Sequence, residues 1–172
     1  MSDTPKVVDG FLFLPPALRA WISKDIPDQP HSGKIPWTPL DKSISETTFT
    51  LMTSAGISMK SDPLFDMARE KNEPAWGDPS YREIPKTATE HDIEVSHLHV
   101  NTAYIKQDIN VMLPLARFQE FEQEGLIGKL APTCYSYYGF QQEPTALLNE
   151  TMPQVAARMR QENVAAVLLT PA

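Results

Sequence analysis

The chain has 172 residues, the size of one domain with a real core. At 41% apolar and 22% charged residues, its composition is that of a globular protein and excludes a disordered chain. Lys and Arg number 15 against 22 Asp and Glu, a net charge of −7, which excludes a basic nucleic-acid footprint.

One figure is out of line: 16 prolines against 7 glycines. Seven of the prolines fall in residues 1–47: Pro5, Pro15, Pro16, Pro27, Pro30, Pro36 and Pro39. Proline fixes φ and removes a donor, so this stretch is neither long helix nor central strand. Phe11, Leu12, Phe13, Leu14, Trp21, Ile22, Ile35 and Trp37 are too apolar to leave in water. The expectation is an extended proline-rich arm over 1–47, with a short helix at Pro16–Lys24, followed by an α/β domain over 48–172. No apolar run approaches the roughly 18 residues of a membrane span. Phe11–Leu14 follows no basic segment and is not a signal peptide. The single cysteine, Cys134, gives no internal disulfide, and the cytoplasm is the expected compartment.

Residues 48–54 are β-rich and stop at Ala55-Gly56, which predicts a strand and then a loop. Residues 61–90 are dominated by turn chemistry, with one helical turn at Pro63–Lys71; such a segment is expected to be functional or a subunit contact. Residues 92–99 alternate apolar and polar and predict a second strand. Pro114 opens a helix carrying Leu115, Phe118 and Phe121 on one face, and Gly125 stops it. Residues 130–138 predict a third strand ending at Gly139. A second helix, with Met152, Val155, Ala156 and Met159 inward, closes at Asn163. Val164–Thr170 is the last strand.

Strands alternating with helices predict an α/β fold with a largely parallel sheet and flanking helices, a Rossmann-like three-layer arrangement. Ligands then bind beyond the carboxyl ends of the strands. Those ends are small or polar: Thr53-Ser54-Ala55-Gly56, Ser96-His97-Leu98-His99 and Thr170-Pro171-Ala172. Thr53, Ser54, Gly56, Ser96 and Thr170 are therefore the candidate substrate-binding residues, with the 53–56 loop a candidate anion cradle on its backbone N–H groups. His97 and His99 are the candidate catalytic pair, acting as bases or substrate-positioning groups. An H-x-H on a strand faces one way and could hold a metal. No third ligand has diagnostic spacing, so no metal is assigned. Cys134 lies within a strand pattern and reads as a small buried hydrophobe. Tyr135, Tyr137 and Tyr138 either line a pocket or pack the strand. Neither a Walker loop nor a dinucleotide fingerprint is present.

Several segments together resemble the selenoprotein B family of glycine, sarcosine, betaine and D-proline reductases. They are Ile35-Pro36-Trp37-Thr38-Pro39-Leu40, Thr53–Gly56, Gly77-Asp78-Pro79-Ser80-Tyr81-Arg82-Glu83-Ile84-Pro85, Ser96–His99, Asp108-Ile109-Asn110-Val111, Gly125-Leu126-Ile127-Gly128 and Val164–Ala172. The resemblance implies a selenocysteine or cysteine just after Ala172, and hence a chain cut before its redox residue. It further implies reductive cleavage of a carbon–nitrogen bond with a dithiol donor. Other reductase subunits become expected partners, one of them able to carry a pyruvoyl group, and the substrate becomes a small amino acid or betaine. No nucleic-acid or membrane partner is expected, and self-association is left open. The isolated 172 residues are expected to be inactive. Two other readings remain: a non-enzymatic α/β binding or scaffolding subunit, and a metal-dependent hydrolase built on His97 and His99.

Overall fold

The computed structural model describes residues 10–25, 38–73, 76–98 and 100–172. The chain divides into two compact units, Met1–Pro39 and Leu40–Ala172. The first holds a 3-10 turn, Gly10–Phe13, and helix α1, Pro16–Asp25. Pro16 opens α1, where its missing N–H costs nothing. The rest of the arm expected over 1–47 falls largely on residues outside those described.

The second unit is built on a five-stranded sheet. Its strands are β1 (Thr48–Thr53), β3 (Tyr81–Pro85), β5 (Lys129–Leu130), β6 (Thr133–Tyr137) and β7 (Ala166–Thr170). β1 is central. β7 runs parallel along one edge of it, from Phe49↔Ala166 to Thr53↔Thr170. β5 and β6 share the other edge, also parallel, and β3 closes that side antiparallel to β6. Thr48 faces Lys129 but Met52 faces Tyr135, so two extra residues enter between β5 and β6. They centre on Ala131-Pro132, where proline interrupts the ladder. The Thr50 hydroxyl bridges the gap by donating to the Thr133 carbonyl at 2.7 Å.

Residues 92–99 do not join this sheet. Their strand is β4, Ile93–Val95, and it pairs antiparallel with β2, Ile57–Met59, in a separate ribbon. The reason is local. Only Ser54-Ala55-Gly56 separates β1 from β2, far too little for a parallel crossover. The chain instead turns out of the sheet at Gly56, whose φ is +65°. β3 is the strand that turn-rich 61–90 concealed. It is an edge strand ending in Pro85, where proline is tolerated. The result is a mixed α/β unit with a mostly parallel sheet and flanking helices, one helix preceding β5 and another crossing from β6 to β7.

Side chains alternate across the sheet. Leu51, Ala55, Leu130 and Cys134 point into the larger core. There they meet Ile57 and Ile93 of the ribbon, Ile105 of α3 (Ala103–Gln107), Ile109, Leu113, and Leu115 of α4 (Leu115–Gln123). Met52 and Tyr135 point to the other face, against Val155 of α5, Met152–Gln161. α4 follows Pro114 and stops at Gly125, φ +69°; α5 stops at Asn163, φ +57°. A π-turn at Leu147–Thr151 precedes α5. Among the described residues, β7 pairs only with β1, and Val167, Leu168 and Leu169 along it are exposed. No described helix is long and apolar enough to cross a membrane.

Candidate functional site at the carboxyl edge

The parallel strands β1, β6 and β7 end together, and their exits are laced to one another. Ser54 N–H donates to the Thr170 carbonyl at 3.2 Å, Gly56 N–H to the Tyr137 carbonyl at 3.0 Å, and Gly139 N–H to the Ser54 carbonyl at 3.0 Å. Ala172 N–H donates to Ser54 Oγ at 2.9 Å. The residue pattern alone places small and polar groups here; the lacing is what gives them one geometry.

The five candidate substrate-binding residues divide. Ser54 and Thr170 line a cavity of about 230 Å3 with Met52, Tyr137, Leu169 and Pro171. Thr53 lies fully buried, its Oγ1 donating to the Thr170 carbonyl at 3.1 Å and accepting from Ala55 N–H. Gly56 and Ser96 pair with each other, Ser96 N–H donating to the Gly56 carbonyl at 2.9 Å, and neither lines the cavity. Thr170 Oγ1 donates to the Met112 carbonyl, which ties β7 to the turn before α4. The hydroxyls of Thr53 and Thr170 thus hold the frame.

The 53–56 loop is no anion cradle. The N–H groups of Ser54, Ala55 and Gly56 are all spent on Thr170, Thr53 and Tyr137. A nest binds an anion only through N–H groups left free to converge, and these are engaged within the fold.

His97 sits just past β4, its ring 4.9 Å from the Tyr138 ring. His99 falls outside the described residues, so the H-x-H pair is not placed as a pair. Among the described residues no three His, Cys, Asp or Glu side chains gather as a metal site.

Cys134 is fully buried in the larger core. Burial pushes its thiol up to about 11, against smaller opposing effects of Leu51 and Thr50. At pH 8 the thiolate is then about one part in a thousand, and the sulfur is out of reach of solvent. Iodoacetamide at pH 8 is expected to modify the native chain at least ~100-fold more slowly than the urea-unfolded chain. Intact-mass kinetics would measure this, and equal rates would refute it. The three tyrosines part company: Tyr137 lines the cavity, Tyr135 packs toward α5, and Tyr138 packs on the opposite face beside His97.

Two buried acids near this edge escaped the sequence reading. Glu70, 3% exposed, lies on α2 (Met67–Asn72) beside the Tyr138 hydroxyl. Nothing in Met-Ala-Arg-Glu-Lys-Asn marks one of its polar residues for burial. Asp78, 8% exposed, accepts from Asp66 N–H, Ser80 N–H and Ser80 Oγ. Its signal was present, since Gly-Asp-Pro-Ser is a sequence in which Asp caps its own turn.

The fold and its polar strand ends define an α/β protein with a cavity at the carboxyl edge of a parallel sheet. Residues 27–172 match the glycine/sarcosine/betaine reductase selenoprotein B family, and the chain belongs to that family. It is 36% identical over 134 residues to D-proline reductase subunit gamma of Acetoanaerobium sticklandii, which covers 78% of this chain and 52% of that protein. It is 31% identical over 143 residues to glycine reductase complex component B subunit gamma of Carboxydothermus hydrogenoformans, covering 82% of this chain and 32% of that one. The same component from Symbiobacterium thermophilum is 28% identical over 144 residues. The chain therefore spans about half the length of the first of these relatives and about a third of the others. No solved structure matches.

Proposed function

We propose that this chain is the N-terminal part of a gamma-type subunit in a reductase complex of the glycine, betaine, sarcosine or D-proline reductase type. Its carboxyl edge then borders the redox centre. The observation that carries the reading is the family match over residues 27–172, with 36% identity to a D-proline reductase subunit. Convergence of the β1, β6 and β7 ends on one cavity supports it, because parallel sheets place their ligands there.

In the reaction a carbon–nitrogen bond breaks and each fragment gains a hydrogen. A dithiol supplies the two electrons and two protons and becomes a disulfide. A selenocysteine or cysteine following Ala172 would supply the redox-active chalcogen, and a pyruvoyl group on a partner subunit would activate an amino-acid substrate. The residues of this chain would bind and manage protons. Ser54 and Thr170 border the cavity, Thr53 holds the Thr170 carbonyl in place, and His97, packed on Tyr138 outside the cavity lining, would be the proton-handling side chain. Burial of Cys134 argues against this thiol as the redox group.

The test is to read the gene past codon 172 and express the extended subunit with its partners. A UGA decoded as selenocysteine, or a cysteine codon, is expected directly after Ala172. The assembled complex is expected to cleave one of the four substrates with dithiothreitol as donor, and the 172 residues alone to do nothing. A different codon at that place, or turnover by the isolated chain, would overturn the reading.

A further inference from the structure

Behind His97 lie side chains that the reaction above does not use. Tyr138 is fully buried and stands at the end of β6, bridged to Ala55. Its backbone cannot drift, because Gly56 N–H holds the carbonyl before it and Gly139 N–H holds the Ser54 carbonyl after it. Its ring meets His97 at a centroid distance of 4.9 Å and 55° between planes, and meets Phe65 at 6.4 Å on another side. A tilted contact at this range is favourable for aromatic rings and depends on orientation, so it fixes an angle as well as a position.

The hydroxyl of Tyr138 has two polar neighbours, the Glu70 carboxylate and the Leu98 backbone N–H. It closes no hydrogen bond of ordinary length and angle. Burial first, and then Glu70, hold the phenol far above its ordinary range, so it stays protonated. A neutral phenol donates once and still accepts. The phenol therefore faces the Glu70 carboxylate as a donor. His97 directly follows a backbone anchor, Ser96 N–H on the Gly56 carbonyl at 2.9 Å.

We propose that Tyr138, backed by Glu70, is the positioning residue for His97. Its ring orients the imidazole at the carboxyl edge, next to the Ser96–Gly56 backbone anchor. The part played by His97 rests on the reductase reading above; the positioning itself does not.

The experiment is NMR on the 172-residue chain with labelled histidine and backbone nitrogen, His97 being assigned by its loss in His97→Gln. The His97 ring protons are expected to carry a shift from the neighbouring Tyr138 ring. In Tyr138→Leu that shift should collapse toward the position of exposed His91. In Tyr138→Phe, which keeps the ring, it should persist. Unchanged His97 shifts in Tyr138→Leu, or shifts in Tyr138→Phe that collapse as far as in Tyr138→Leu, would overturn the proposal. If Tyr138→Leu fails to fold, a nuclear Overhauser contact between the His97 and Tyr138 rings in the unsubstituted chain decides instead, and its absence would overturn the proposal. In the assembled complex, Tyr138→Leu should lower kcat with little change in KM, and Tyr138→Phe should recover part of the loss. NMR changes without any reductase activity would refute the functional reading and leave the positioning intact; activity without the NMR changes would do the reverse.

Discussion

Gly56→Ala is expected to destabilise the chain by about 1.5–3.5 kcal/mol, measured by urea unfolding. Two costs combine. Gly56 has φ +65°, where a residue with a Cβ is strained by about 1–2 kcal/mol. The added Cβ would also lie 2.2 Å from the Ser96 carbonyl oxygen, a backbone atom that moves only with its segment. Relief requires Ser96 to withdraw, which breaks its N–H bond to the Gly56 carbonyl, worth about 0.5–1.5 kcal/mol. Gly125→Ala separates the two costs. Its φ is +69°, but nothing lies within 4 Å of the added Cβ, so only the strain of about 1–2 kcal/mol is expected. Equal losses in the two variants would show that the close approach of Ser96 to Gly56 contributes nothing. The same substitution moves the segment that carries His97, so Gly56→Ala should also shift the His97 resonances, and Gly125→Ala should not.

Asp78→Ala is expected to cost about 2–4 kcal/mol, read from the same unfolding curves. One buried carboxylate serves three donors: Asp66 N–H at 2.9 Å, Ser80 N–H at 2.8 Å, and the Ser80 hydroxyl. Removing it strands these donors in a site with little water, where each unmade bond costs more than the made bond contributes. The damage spreads through the connections. Asp66 is the N-cap of α2, accepting from Arg69 N–H, and α2 carries Glu70. Gln141 donates to the Asp78 carbonyl, and the Thr151 hydroxyl donates to the Pro79 carbonyl. Asp78 therefore joins the start of α2 to the chain between β6 and α5. Asp78→Asn keeps one acceptor oxygen and should lose about half as much. A loss below about 0.5 kcal/mol for Asp78→Ala, the level of an ordinary surface change, would refute this account.

Much of the unit was legible in the sequence wherever one residue type sufficed to impose a local conformation. β1 reads from its β-branched run and its stop at Ala55-Gly56. α4 reads from Leu115, Phe118 and Phe121 with Gly125 behind them, and α5 from Met152, Val155 and Met159 with Asn163 closing it. α2 begins later than the Pro63–Lys71 pattern suggested, at Met67, and β4 is shorter than its pattern, since a strand extends only as far as it finds a partner. β3 was hidden because an edge strand with a charged pair, Arg82-Glu83, and a terminal proline looks like a turn. The pairing of β4 was hidden too, because alternation marks a strand and says nothing of which strand it joins.

The site divides in the same way. The sequence by itself determined that small and polar residues stand at the strand ends, that Cys134 is an apolar side chain within a strand, and that one family shares these segments. Those are properties of residue type and local order. Only the tertiary structure decided which of these residues face the cavity, which are consumed as struts, and which buried groups stand behind His97. Thr53 and Ser54 are neighbours in sequence, yet one is locked inside the sheet and the other reaches the cavity, because strand alternation sends them to opposite faces. Glu70 and Tyr138 are far apart along the chain and meet only because α2 folds against the end of β6. A hydroxyl's availability depends on what lies opposite it, and what lies opposite is set by packing between distant segments.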